Sequence, residues 1–277
     1  MRPTWSARSL LIGLGRRLLG SRQLSHLVRF EPVLEQIAGA GAAGGSVLDV
    51  GSGSRGVSAL LPPGWHATAL DADFEDYGAT RRRSVPAPDE VVGDVRALPF
   101  ADGAFDVVVA VDLLEHVPAA DRTRAIGEIC RVARTRAVLA CPAGEDALAA
   151  DRRLADRLRG RGHAVPPWLE EHLENGFPEP AQLAAAAAPF GSVRVFGNDG
   201  IAAHERLVIA EHSLTGAVPL RLACRPLEYL MASRRPGARR LAARVLRRLR
   251  GGDSAPTYRA VVVVDITARQ RGRHNNE

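Results

Sequence analysis

The chain has 277 residues, 46% hydrophobic and 25% charged, a composition typical of a globular protein and not of a disordered one. All 37 basic residues are arginines, and they are unevenly spread: residues 47–146 hold ten arginines against sixteen acids, whereas residues 211–255 hold ten against three. An acidic centre with basic ends does not favour a nucleic-acid enzyme, which usually carries its basic surface beside the active site.

The cysteines and the apolar runs indicate a cytoplasmic protein. Cys130, Cys141 and Cys224 are widely spaced and odd in number, so they predict neither a disulfide framework nor a metal-binding motif. Arginines interrupt the apolar stretch at residues 10–14 and no small-residue cleavage site follows, so no signal peptide is predicted. No apolar run approaches the roughly 18 residues that span a bilayer. We expect a soluble protein.

Hydrophobic patterns predict alternating strands and helices in the first half of the chain. A basic amphipathic helix over residues 5–20 and a second helix over 27–38 precede a glycine-rich break. Helices are also expected at 56–61 and 119–134, and strands at 46–50, 66–71, 89–94, 105–112 and 136–141. This alternation indicates a mostly parallel sheet with helices on both faces.

The second half of the chain has a looser pattern. Helices are predicted at residues 145–159 and 180–188, and strands at 192–197 and 258–265. About 60 residues separate the two strands, which is too many for a hairpin. The intervening residues, 198–257, are therefore interpreted as a helical insertion. The expected organisation is a helical extension over 1–40, a core domain over 41–197 and 258–268, and a basic helical insertion over 198–257.

A glycine-rich loop, GSGSRG, follows the first predicted strand. Gly51 and Gly53 allow the backbone to approach a ligand closely, and a helix start offers free N–H groups. Asp71 ends the next strand about 20 residues downstream, where a carboxylate can bind both hydroxyls of a ribose. The spacing favours a nucleoside-containing ligand, although a glycine turn and a solvated aspartate would produce the same pattern.

The segments VLDVGSGSRG, ALD and GDVRALPFADGAFDVVVAVDLLEHVP together resemble a known family. They are similar to the small-molecule branch of class I S-adenosyl-methionine-dependent methyltransferases, of the ubiquinone and menaquinone biosynthesis type. The resemblance covers about residues 46–142. It implies a Rossmann-like α/β fold with a seven-strand sheet whose last strand is antiparallel, and S-adenosyl-methionine as the cofactor.

The resemblance also implies a function for each matched position. Asp49 and the loop at 51–53 would hold the methionine part of the cofactor, and Asp71 the ribose hydroxyls. Asp94 and the Val95 N–H group would bind adenine, and Val111 would lie near the sulfonium. The residues expected to contact the cofactor are therefore Asp49, Gly51, Ser52, Gly53, Asp71, Asp94, Val95 and Val111.

Three polar residues, Asp112, Glu115 and His116, follow the fourth predicted strand. On a helix beginning at Asp112 they would share one face. In the ubiquinone O-methyltransferases that the chain resembles, the corresponding segment reads Glu-x-x-Glu-His and binds a divalent ion beside the acceptor. A metal site at these three residues is one interpretation, His116 as the catalytic general base is a second, and a structural function is the third.

The same region bears on the acceptor. It lacks the Asn/Asp-Pro-Pro-aromatic motif that methyltransferases acting on amino groups of bases or glutamine usually carry there. The expected acceptor is a hydroxyl or carbon of a small-molecule, glycan or lipid-linked molecule. His172 lies in EHLENGFPEP, a stretch that commonly caps the acceptor pocket in this fold. RNA methylation and a non-catalytic binding module are the alternatives, and the intact acids Asp71 and Asp94 argue against the second.

Residues 238–250 predict an amphipathic helix with an apolar stripe among arginines. The stripe is made of Ala238, Leu241, Ala242, Val245, Leu246 and Leu249. A solvated helix packed on the domain explains this pattern, as does a peripheral contact with an anionic membrane at the inner face. Binding of nucleic acid is the less favoured interpretation.

Overall fold

The structure is a computed structural model that describes residues 24–41, 44–53, 56–74, 89–162, 164–212, 214–251 and 256–267. The helix predicted over residues 5–20 lies outside these ranges. Seven strands form one sheet: β1 (Gly45–Val50), β2 (Trp65–Asp71), β3 (Asp89–Val92), β4 (Phe105–Val111), β5 (Ala133–Pro142), β6 (Gly191–Gly200) and β7 (Thr257–Ile266).

The sheet order is β3-β2-β1-β4-β5-β7-β6. The first five strands pair in parallel, whereas β7 lies antiparallel between β5 and β6. This arrangement confirms the expected α/β Rossmann-like fold with an antiparallel last strand. The strand predictions are correct to within a few residues at most of the ends.

Helices cover both faces of the sheet. They are α1 (Leu24–Ala40), α2 (Arg122–Val132), α3 (Glu145–Gly160), α4 (Pro167–Asn175), α5 (Pro180–Ala187), α6 (Ile201–His212), α7 (Leu214–Met231) and α8 (Pro236–Leu249). Three of them, α6 to α8, lie between β6 and β7. Within the described residues, no helix combines the length and apolar character needed to cross a membrane.

Two hydrophobic cores lie on opposite faces of the sheet. Successive strand side chains point to opposite faces, so Val108 packs with α2 and α5 while Val109 packs with α1 and α8. Both faces are buried, which explains why the central strands read as continuous apolar runs and do not alternate. The helix α1 is part of the second core, through residues such as Leu27 and Ile37.

Two helices considered from the sequence, one at residues 56–61 and one beginning at Asp112, do not form as α-helices. The chain after the glycine loop makes only a short 3-10 helix over Val57–Leu60, and Pro62 and Pro63 follow it. No helix begins at Asp112, whose φ of 49° lies in the left-handed region. The chain instead turns after β4, with the His116 N–H group donating to the Leu113 carbonyl oxygen at 3.0 Å.

A buried arginine on β7 explains the unusual backbone at Asp112. Arg259 is 4% exposed and donates from Nε and Nη2 to both carboxylate oxygens of Asp112, at 2.8 and 3.0 Å. Its Nη1 donates to Asp199 at 2.9 Å, and Arg29 of α1 lies 2.8 Å from Asp112. Burial opposes ionisation of Asp112, but Arg259 and Arg29 outweigh it and keep the pKa below its ordinary value.

Replacing Arg259 by methionine tests how strongly this network stabilises the fold. The change leaves two buried aspartates without their shared cation, and losing one partner of a buried ion pair typically costs about 3–5 kcal/mol. The free energy of unfolding, measured with denaturant, should fall by that amount. Arg152→Gln is the matched control because Arg152 is 57% exposed and lies 3.6 Å from Glu145, so a loss of about 0–1 kcal/mol is expected. Equal effects of the two changes would contradict the analysis.

Candidate functional site

The glycine loop follows β1 at the carboxyl edge of the sheet. Gly51 and Gly53 have φ values of +69° and +51°, which side chains disfavour. The Gly51 N–H group donates to the Leu70 carbonyl oxygen at 2.8 Å, anchoring the loop to β2. A Cβ atom at Gly51 would lie 2.7 Å from the Leu113 side chain. The backbone therefore runs against the turn that follows β4, in the crevice beside neighbouring strands β1 and β4, where ligands bind in open α/β sheets.

Two aspartates shape this loop. Asp71, at the end of β2, accepts the Gly53 N–H group at 2.7 Å on one oxygen and the Asp73 N–H group at 3.1 Å on the other. Each carboxylate oxygen can accept a further hydrogen bond, so the half-buried group suits a pair of hydroxyls. Asp49 is 2% exposed and accepts the Val57 N–H group at 2.8 Å, which fixes the chain after the loop. This geometry fits a nucleoside ligand.

The segment after β3 presents Asp94 at the same edge. Its carboxylate is 48% exposed and pairs with Arg96 at 2.6 Å, and Arg96 also reaches Asp121 at 2.9 Å. Hydrogen bonds from Arg96 lower the pKa of Asp94, so it remains an ionised acceptor. Glu128 of α2 fixes the following chain by accepting the Leu98 N–H group at 2.8 Å.

The three polar residues after β4 are not brought together as the sequence predicted. Asp112 instead pairs with Arg259 of β7 and Arg29 of α1, in a left-handed backbone conformation. Glu115 and His116 instead lie with His172 of α4, and one potential ligand atom of each lies within 4.8 Å of the others. We call Glu115, His116 and His172 the polar cluster.

Glu115 is the most deeply buried member of the polar cluster. Its side chain is 0% exposed and neither oxygen has a hydrogen-bond partner within the structure's described part. Burial, and secondarily the charge of Asp112, raises the pKa of Glu115 well above its ordinary value. Glu115 therefore keeps its proton to a higher pH than an ordinary glutamate does.

Each histidine of the polar cluster faces a carboxylate through Nδ1. The His172 Nδ1 atom hydrogen-bonds Asp151 at 2.8 Å, and its Nε2 atom lies 4.0 Å from Glu115. The His116 Nδ1 atom lies 2.9 Å from Glu171, an ion-pair distance without hydrogen-bond angles. Burial lowers the pKa of His116, so its ring is neutral at pH 7.

Aromatic rings surround His172. Its ring centroid lies 5.2 Å from those of His116 and Phe177 and 5.3 Å from that of Trp168. The Phe177 ring lies with His172 in EHLENGFPEP, the stretch that the sequence predicted to cap an acceptor pocket.

The sequence analysis did not identify Asp151 and Tyr258. Asp151 is 1% exposed, and its other carboxylate oxygen accepts the Tyr258 hydroxyl at 2.9 Å. A signal was present, because Asp151 occupies the apolar stripe of α3 together with Ala147, Leu148, Leu154 and Ala155. An acid at such a position predicts a buried partner.

Comparison with known proteins gives a family match over part of the chain. Residues 48–141, which hold the glycine loop, Asp71, Asp94 and the turn after β4, match the family described as a methyltransferase domain. No curated protein matches the chain.

Several solved structures are similar to this chain. A protein provisionally named sarcosine dimethylglycine methyltransferase from Galdieria sulphuraria is 17% identical, with 86% of this chain and 85% of that one covered and a TM-score of 0.50. The PH0226 protein from Pyrococcus horikoshii is 16% identical over 88% and 90% of the chains, with a TM-score of 0.48. Magnesium protoporphyrin IX methyltransferase from Synechocystis, with bound SAH, is 15% identical over 70% and 83%, with a TM-score of 0.41.

The family match and the sheet topology lead to the same assignment. The matched residues carry the crevice beside β1 and β4, where the geometry fits a nucleoside. Residues 48–141 therefore match a methyltransferase domain, and S-adenosyl-methionine is the cofactor that fits the crevice they carry.

Proposed function

We propose that the enzyme transfers a methyl group to a hydroxyl or an acidic carbon of a small-molecule, glycan or lipid-linked acceptor. The main support for this proposal is the polar cluster, in which Glu115 and His116 follow β4 and His172 lies on α4. It provides acid–base groups at the carboxyl edge of the sheet. An oxygen or carbon acceptor must lose a proton to become nucleophilic, and a positioned histidine accepts that proton efficiently. A neutral amine already has its lone pair and requires no such base.

The cofactor supplies an activated methyl group, and the chain's residues position it. We propose that Asp71 binds the ribose hydroxyls and that the loop at 51–53 lies along the methionine part, with Asp49 fixing the loop. Asp94 and the Val95 N–H group would bind adenine, and Val111 would lie beside the sulfonium. The short distance between Gly51 and Leu113 supports this placement, because it brings the loop against the turn that leads to the polar cluster.

His116 is the proposed general base. Its side chain is 25% exposed, whereas His172 is buried, so His116 is the histidine that an acceptor can reach. His172 is a positioning residue: Asp151 orients its ring, which packs against that of His116. Burial lowers the pKa of His116 by more than the adjacent Glu171 carboxylate raises it, and this helps His116 remain unprotonated.

Methyl transfer from labelled cofactor to lipid, glycan and RNA extracts tests the acceptor class. We expect label in the lipid or glycan fraction, on oxygen or carbon, as identified by mass spectrometry of the product. Label confined to RNA, or to amino groups, would contradict the proposal. A wild-type protein that binds the cofactor but labels no extract would favour a non-catalytic binding module.

Asp71→Asn should weaken binding of S-adenosyl-methionine and S-adenosyl-homocysteine at least tenfold. The substitution keeps the size of the side chain but removes the negative charge that strengthens the two ribose hydrogen bonds. Isothermal titration calorimetry measures the affinity. Asp73→Asn, an exposed neighbour that loses the same charge, should bind as the wild type does. Unchanged affinity in a folded Asp71→Asn protein would remove the ribose assignment.

The pH dependence of kcat tests His116. A base is active when neutral, so kcat should fall as the pH drops through the His116 pKa, and because that pKa is lowered the fall should lie below the ordinary value of 6.5. His116→Gln should lower kcat by about 10²–10⁴-fold and abolish this acidic limb. His66→Gln, a change at an exposed histidine of β2, should leave both unchanged.

Chelation separates the base from a metal site in the same polar cluster. If a divalent ion acts there, chelation should abolish turnover and added magnesium or zinc should restore it. Activity that survives chelation supports His116 as the base. Full, pH-independent activity of His116→Gln would leave the histidine a structural function only.

A further inference from the structure

The surface formed by α7 and α8 is apolar to an unusual degree. Of the seven exposed large hydrophobic side chains within the described residues, five belong to these two helices: Leu222, Tyr229, Leu241, Val245 and Leu249. Tyr229 is 77% exposed. Exposed apolar side chains that cluster on adjacent elements mark interaction sites more often than scattered ones do. We call these five side chains the exposed stripe.

The domain covers only half of the apolar side of α8. Ala242 and Leu246 are buried in the second core, together with Cys224, Leu227 and Met231 of α7. Leu241, Val245 and Leu249 recur every four residues and lie beside the buried pair on the solvent side. Packing on the domain therefore accounts for part of the predicted stripe and leaves the rest in water.

The exposed stripe is surrounded by positive charge. Residues 214–250 contain ten arginines and one acid, Glu228. Arg247 and Arg250 point inward, to Glu31 and, for Arg247, also to Glu35 of α1. Arg240, Arg244 and Arg248 are exposed, and within the described part of the chain no carboxylate pairs with them.

We propose that α7 and α8 form a docking surface for an anionic lipid bilayer. Aliphatic and tyrosine side chains enter the boundary between headgroups and acyl chains, while the flanking arginines attract acidic headgroups. The charge complementarity argues for this occupant. A second copy of the chain would bring two strongly basic surfaces together, and an RNA would neutralise the arginines but leave the aliphatic side chains in water.

Ion pairs connect α8 to α1. Glu31 is 3% exposed and forms ion pairs with both Arg247 and Arg250. These pairs hold α8 on the domain without the three outer arginines, Arg240, Arg244 and Arg248. The outer arginines can therefore be neutralised without removing a contact that holds the fold. Arg247 is unsuitable for this purpose because its loss would uncover a buried acid.

Sedimentation with vesicles tests the proposal. The wild-type protein should bind vesicles that contain phosphatidylglycerol, bind pure phosphatidylcholine weakly or not at all, and bind less as salt rises because the attraction is screened. Each arginine near an anionic surface contributes roughly fivefold to partitioning, so the triple change R240Q, R244Q and R248Q should reduce binding on the order of a hundredfold. The control, R152Q, R159Q and R161Q, removes three exposed arginines elsewhere and should bind nearly as well as the wild type.

A second variant tests the apolar contribution. The triple change L241S, V245S and L249S keeps every charge and should also weaken vesicle binding by at least tenfold, because less apolar area enters the bilayer. Circular dichroism and thermal melting show whether each variant is folded, and the arginine variant provides the decisive comparison if the serine variant is not.

Several outcomes would overturn the proposal. They are equal sedimentation on neutral and anionic vesicles, no sedimentation on either, and loss of binding in the control to the same extent as in the arginine variant. Binding of an RNA oligonucleotide that persists in the serine variant, without vesicle binding, would assign the surface to nucleic acid. A wild-type dimer in analytical ultracentrifugation that dissociates in the serine variant, again without vesicle binding, would assign it to a second copy.

Discussion

Arg259 places a positive charge at the carboxyl edge of the sheet, where polar residues follow the ends of the parallel strands. Because β7 runs antiparallel to β5, its beginning lies at the carboxyl edge of the parallel strands, and Arg259 is level with Pro142 at the end of β5. From there it neutralises Asp112 after β4 and Asp199 at the end of β6. An uncompensated carboxylate at this depth would have to take up a proton or be hydrated. The antiparallel direction of β7 thus allows Asp112 and Asp199 to remain ionised at this edge, because it places Arg259 between them.

The polar cluster depends on groups that lie outside the segment matched by the methyltransferase family. Asp151 of α3 orients His172 and receives Tyr258 of β7, while the Tyr258 ring stacks on His204 of α6 at a centroid distance of 3.6 Å. Within the polar cluster, Glu115 and His116 belong to the matched segment, whereas His172 lies outside it. The crevice beside β1 and β4 comes from one local run of strands and loops, while the polar cluster is completed by helices and strands far apart in sequence. This division agrees with a shared methyl-donor chemistry on which different acceptor sites are built.

The sequence predicted the sheet well because burial on both faces leaves a strong signal of continuous apolar runs, such as the run in β4. It predicted the glycine loop and Asp71 because both belong to one local motif. It did not predict the turn at Asp112, since that conformation follows from ion pairs with Arg29 and Arg259, which are far away along the chain. It predicted the helix that contains Asp151 but not the burial of this residue, because charged neighbours concealed its position. Local patterns thus predict local structure, whereas long-range electrostatic contacts require the fold.

The place of β7 in the sheet has a consequence for synthesis on the ribosome. Among the described strands, β6 pairs only with β7, which follows it in the chain. A nascent chain that has not reached residue 257 therefore exposes one edge of β5 and leaves β6 without a neighbour. At that stage Asp112 also lacks Arg259, which lies 147 residues further along the chain. A nascent chain therefore carries the open edges of β5 and β6 until β7 emerges, and such edges are prone to pair with other chains. Pairing of β7 between β5 and β6 is thus the step that protects these two strands from aggregation.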